Sequence, residues 1–180
     1  GSIRIVGPIN DPDFYGTLVI SDASADVDLI PEVVNAEKSY LVFQEKVVRL
    51  VPFDAVVGSA TVGLEGDFLL NRWGFEGYKL WIDAGEEPGV HIAYDFNAVE
   101  VEGFAMGQIE ITGAPNSTRF DGSVTAQSTT VTLSEEVVET EGASSSETIV
   151  DLTIETGRGL EFLWPTSTFP ILRAFTETGE

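Results

Sequence analysis

Cysteine is absent from the 180 residues, and histidine and methionine occur once each. Without thiols there is no disulfide framework and no thiolate metal centre. The lone histidine, His91, lies between Val90 and Ile92 on the polar parity of an apolar alternation. It reads as an exposed surface residue, and no serine motif pairs with it as a nucleophile would require. Basic residues are also scarce, nine against 30 acids, for a net charge of −21. A chain without a basic footprint is poorly suited to nucleic-acid phosphates or to anionic lipid headgroups. No stretch approaches the ~18 consecutive apolar residues of a membrane-spanning helix, and no secretory leader pattern opens the chain. Helix signals are nearly missing. Only PEVVNAEK at 31–38 offers a single turn.

What remains is strand. Apolar residues make up 43% of the chain, enough for one domain with a core. Period-two alternation runs through Val62-x-Leu64-x-Gly66-x-Phe68-x-Leu70, Tyr78-x-Leu80-x-Ile82 and Val90-x-Ile92-x-Tyr94-x-Phe96. It returns in Ile109-x-Ile111, Leu152-x-Ile154 and Leu160-x-Phe162-x-Trp164. Such alternation describes strands with one covered face and one wet face, as in an antiparallel meander. Turn residues punctuate it at Asn10-Asp11-Pro12, 71–74, 85–89, 113–116 and Asp121-Gly122. The acidic, serine-rich stretch 134–147 reads as a mobile loop inside the single domain 1–180.

The chain also repeats itself. Residues 3–20 (IRIVGPINDPDFYGTLVI) align without a gap on 109–126 (IEITGAPNSTRFDGSVTA), with six identities at an offset of 106. The identities are Ile3/Ile109, Ile5/Ile111, Gly7/Gly113, Asn10/Asn116, Phe14/Phe120 and Gly16/Gly122. Fragments recur at 62–66, 99–103 and in Phe75-Glu76-Gly77. The implied unit is a strand ending at glycine, a turn, and a new strand opened by Phe-x-Gly.

Strand–Gly–turn–Phe-x-Gly–strand units resemble the TamB family of AsmA-like envelope proteins. The resemblance rests on 3–18, on Tyr40-Leu41-Val42-Phe43 with Val47-Val48-Arg49-Leu50, and on 150–154 followed by 159–165. The second copy departs from the family pattern, with Thr118 where the first has Pro12. The resemblance implies an all-β fold: a curled, mostly meandering sheet forming a taco-like half-pipe with an apolar groove. It implies a segment of a longer periplasmic protein of a diderm bacterium, anchored in the inner membrane elsewhere in its length. It implies phospholipid acyl chains as cargo moved toward the outer membrane, an Omp85-type barrel as partner, no cofactor and no catalysis.

The residues themselves supply a candidate lining: Ile5, Leu18, Ile20, Val62, Leu64, Phe68, Leu80, Ile82, Ile92, Tyr94, Phe96, Ile109, Ile111, Leu152, Ile154, Phe162 and Trp164. A dry lining without hydrogen-bond demands suits acyl chains, and each buried methylene contributes about 0.8 kcal/mol. The same residues would equally make an ordinary core, and the family resemblance favours the groove. Two other readings stay open. One is a secreted β-sandwich binding carbohydrate through Trp73, Trp81 and Trp164, or calcium through acids such as Asp22, Asp26 and Asp28. The other is a chaperone-like module receiving outer-membrane strands at its edges. The acids fit no EF-hand spacing and read as a solvated surface. Trp81 falls opposite in parity to Leu80 and Ile82, a position suited to a groove edge or a partner contact.

Overall fold

The computed structural model describes residues 1–27, 30–96, 99–133, 147–164 and 172–176. The loop expected at 134–147 lies outside the described residues, apart from Glu147. The described residues form twelve strands and no helix: β1 (Ser2–Val6), β2 (Asp13–Val27), β3 (Ile30–Glu45), β4 (Val47–Val57), β5 (Ala60–Asn71), β6 (Gly74–Ala84), β7 (Val90–Phe96), β8 (Val99–Ala114), β9 (Ser117–Leu133), β10 (Glu147–Thr156), β11 (Glu161–Trp164) and β12 (Leu172–Phe175). All belong to one curled open sheet.

Strands β1 to β6 form an antiparallel meander in chain order, continued by β8 and β9. β6 and β7 both pair antiparallel with β8, β6 along 107–113 and β7 along 99–105. They therefore lie end to end, separated by the excursion 85–89. β10 and β11 share β9 in the same manner, but parallel to it.

The segment 31–38, which allowed a helical turn by sequence, is extended in β3. Its alternating burial answers the conflict: Glu32, Val34 and Ala36 are half-buried while the residues between are exposed. Period two wins because β3 has neighbours on both sides, and pairing with them outweighs weak helix propensity. Asp121-Gly122 is not a turn either, since it lies inside β9 opposite Glu110 and Ile109.

The two copies of the repeat are two equivalent hairpins. Ile3 opposes Gly16 and Ile5 opposes Phe14 in β1–β2. Ile109 opposes Gly122 and Ile111 opposes Phe120 in β8–β9. The shorter fragments behave differently. β5 passes through Gly66 and β8 through Gly103 without ending, so an apolar-x-apolar-x-Gly string does not stop a strand there. These glycines make room instead. A side chain at Gly66 would meet Leu80, and one at Gly103 would meet Thr129.

Buried hydrophobics are few for such a length. Among the described residues they are Val48, Ala55, Val57, Ala60, Val62, Val90 and Leu163. Val57, Ala60, Val62 and Val90 cluster with the half-buried Ile30, Val34, Leu64, Ile82 and Ala84. This cluster sits at the tip of the β4–β5 hairpin, where β3 reaches β7. At the other end the turns gather. Trp73 donates its indole N–H to the Ile9 carbonyl at 2.7 Å and meets Phe14 edge-on at 5.6 Å. Lys46 Nζ reaches Asp11 Oδ1 and the Pro12 carbonyl, each at 2.6 Å. Both sets of contacts span several strands, and they hold the curl.

Candidate functional site

Strand register assigns the apolar residues to one face. Ile3, Ile5, Leu18 and Ile20 share it with Leu41 and Phe43 through β1, β2 and β3. From Phe43 and Leu41 the face passes to Val48 and Leu50, then to Phe68 and Gly66. It continues as Phe68–Tyr78, Leu64–Ile82 and Leu80–Ile111, reaching Phe120 and Val150 at the far side. Ile109, Ile92, Tyr94, Leu152, Ile154 and Phe162 follow the same register. Trp164 is two residues beyond Phe162 on β11 and keeps its parity. Phe96 ends β7 opposite Val99, and its side chain lies outside the described residues.

The candidate lining is thus brought together as a face, but it is covered unevenly. Val62 is buried in the cluster at the β4–β5 tip. Leu18, Leu64, Phe68, Leu80, Ile82, Ile92, Ile109, Ile111, Leu152, Phe162 and Trp164 are half-buried. Ile5 is 53% exposed, Ile154 67%, Tyr94 43% and Ile20 37%.

Sequence alternation missed much of this face. Phe14, Leu41, Phe43, Val48, Leu50, Phe53 and Val124 belong to it by register. β4 carries its parity shift between Leu50 and Phe53, so even positions face the apolar side before it and odd positions after it. The available signal was Pro52, a residue that inside a sheet marks an edge or a bulge. In β9 the shift comes at Ser128, whose φ is 45°. Aromatic rings concentrate at the turn end: Phe75 stacks on Tyr78 with centroids at 5.8 Å, and Phe68 lies 6.4 Å from each of them. The ring of Tyr78 lies across Gly113, where a β-carbon would strike it. A bare glycine there lets an aromatic ring cover the backbone.

The opposite face is richer in charge, although Val19–Tyr40 and Val47–Leu69 also lie on it, and it carries cross-strand ion pairs. Arg49 meets its partner Asp67 at 2.9 Å, and Lys79 meets Glu110 at 2.8 Å. Arg119 bridges Asp121 at 2.5 Å and Asp151 at 3.0 Å, two acids that register places side by side. The Asp121 carboxylate, by hydrogen bond and charge, raises the pKa of Arg119 further, as Asp67 does for Arg49. Trp81 belongs to this face. Its indole N–H donates to Glu110 Oε2 at 2.9 Å, and the Lys79 ammonium stands 4.8 Å from its ring centre. Its odd parity is therefore satisfied within the polar face.

A hollow of about 860 Å³ lies over β4, β5, β6, β8 and β9. Most of its lining has the polar parity: Pro52, Asp54, Glu65, Trp81, Asp83, Gln108, Glu110 and Asp121. Of the candidate lining only Leu64, Ile82 and Ile109 border it. This hollow thus belongs mainly to the wet side of the sheet.

His91 is not the exposed residue its parity suggested. It is half-buried, with Nδ1 3.1 Å from Glu32 Oε1 and its ring 5.3 Å from Phe104. The curl brings β3 against β7 and supplies a partner that no local pattern announces. Among the described residues no group of three or more acids and histidines has metal-holding geometry. No protein family, curated protein or solved structure matches the chain.

Proposed function

We propose that the chain is a TamB-like segment of a periplasm-spanning envelope protein, whose apolar sheet face shields phospholipid acyl chains on their way to the outer membrane. One observation carries the reading. A single apolar face extends by register from Ile3 to Phe162, yet few of its side chains are fully buried. A folded monomer rarely leaves a wide apolar surface half-covered unless something else covers it. Acyl chains fit because the surface is continuous and asks for no hydrogen bonds. Headgroups would remain in water beside the strand edges. The segment acts as a conduit and not as an enzyme, and the Omp85-type barrel would engage the longer protein.

Native mass spectrometry of the protein expressed in a diderm host should show bound phospholipid. A photo-crosslinker at Leu80 or Ile111 should capture lipid in cells, and one at Glu65 or Asp83 should not. Capture of sugar or peptide from the polar hollow, with no lipid on the apolar face, would favour a secreted binding module or a chaperone and sink the lipid reading.

A further inference from the structure

We infer that the seam between β3 and β7 is a gate: the two strands part and rejoin while the rest of the sheet stays paired, and Glu32 with His91 is its latch. The sheet order sets β4, β5 and β6 between these strands, yet the curl brings them into contact. Residues 30–33 of β3 lie beyond its pairing with β4, which begins at Val34 opposite Val57. There β3 is held by β2, with Val27 opposite Ile30, while β7 is held by β8 along its whole length. No ladder joins β3 to β7 among the described residues. Parting them therefore breaks no rung of the sheet. What crosses the seam is side chains. Ile30 and Val34 pack on the cluster of Val57, Ala60, Val62 and Val90, and His91 Nδ1 stands 3.1 Å from Glu32 Oε1.

The latch is poised and not locked. The second carboxylate oxygen of Glu32, Oε2, is buried with no hydrogen-bond partner among the described residues. Its stem lies over the tip turn, where a β-carbon at Gly58 would come within 3.2 Å of Cγ. A buried carboxylate oxygen left unpaired is costly, and water satisfies it once the strands part. The bond to His91 and the apolar packing favour the closed form, and the unpaired oxygen favours the open one. Opposed terms of this kind give a local element two arrangements close in free energy. Opening uncovers Ala60, Val62 and Val90, which are buried in the closed form, and so extends the apolar face to this end of the sheet. Resting on the lipid reading, the seam is where an acyl chain enters or leaves that face.

The absence of native cysteine makes the opening readable. In the whole chain Ala60→Cys reports the gate, and Val48→Cys, buried near the start of β4, reports global unfolding. Both are labelled with a small maleimide under native conditions. The thiol at 60 should react faster than the thiol at 48. His91→Ala should accelerate the reaction at 60 about fivefold or more, the scale of one charge-assisted hydrogen bond, and leave that at 48 unchanged. Glu32→Leu removes the unpaired oxygen and adds apolar surface, so it should slow the reaction at 60 below the parent rate. Equal rates at 60 and 48, equal acceleration at both, or a Glu32→Leu chain as fast as His91→Ala would each overturn the proposal. A photo-crosslinker at Val62 or Leu80 in a diderm host separates gate from cargo, because His91→Ala should raise lipid capture at Val62 relative to Leu80. Capture at Leu80 with none at Val62 in either chain would overturn the gate alone. The expected thiol kinetics with no lipid at either position would sink the lipid reading and leave the opening standing.

Discussion

Gly16 and Gly122 occupy the same place in two hairpins, with φ of 139° and 158°. A β-carbon on either would collide with a carbonyl oxygen across the pair, that of Ser2 or of Gln108. Gly16→Ala and Gly122→Ala should each cost about 1–3 kcal/mol, measured by urea unfolding. Equal loss from both would mark them as one solution used twice. Lys46 makes a second residue-scale prediction. Its hydrogen bond holds the Asp11 carboxyl below the usual carboxylate range, and the same bond raises the Lys46 ammonium above its ordinary value. The depressed carboxyl contributes stability at neutral pH that is lost as pH falls through its lowered pKa. The raised ammonium contributes stability that is lost as pH rises through its raised pKa. Lys46→Ala should thus lower Tm across the middle pH range, and the difference from wild type should close at both extremes.

Elements were legible in proportion to their regularity. β5, β6 and β7 announced themselves by strict alternation, as did most of the residues on their apolar side, whereas β8 runs on through Gly103, where the repeat fragment implied an end. β4 did not, because Val51-Pro52 inserts a parity shift between Leu50 and Phe53. The repeat disclosed two hairpins but not the partners on their outer sides, which differ between copies. His91 shows the limit most clearly. Its parity was read correctly from neighbours in sequence, but Glu32 comes to it across 59 positions. Burial by curling is a property of the assembled sheet, so no local pattern contains it. Packing yields an element-scale contrast. Val62→Ala in the cluster at the β4–β5 tip should cost about 1–3 kcal/mol through lost contacts and a residual void. Ile154→Ala on the outlying β10, where the side chain is 67% exposed, should stay within about 0.5 kcal/mol. Paired denaturation curves check both.

At the scale of the whole molecule the sheet is held by neighbour pairing, with the curl fastened at its two ends. The end-to-end placement of β6 and β7 then has a consequence for how the chain tolerates growth. Both strands are anchored independently on β8. The residues between them leave the sheet and return in a tight turn, with the Gly89 amide bonded to the Glu86 carbonyl at 2.9 Å. Lengthening that excursion changes no strand register. Each doubling of such a loop costs only about 0.6 kcal/mol of closure entropy. A Gly-Ser stretch of about ten residues spliced between Glu86 and Glu87 should therefore lower Tm by a few degrees at most. The same stretch between Asp67 and Phe68, inside β5, should abolish cooperative melting. Gly85–Gly89 is thus a natural port for a guest domain, a place where new cargo or new partners can be grafted onto the sheet without rebuilding it.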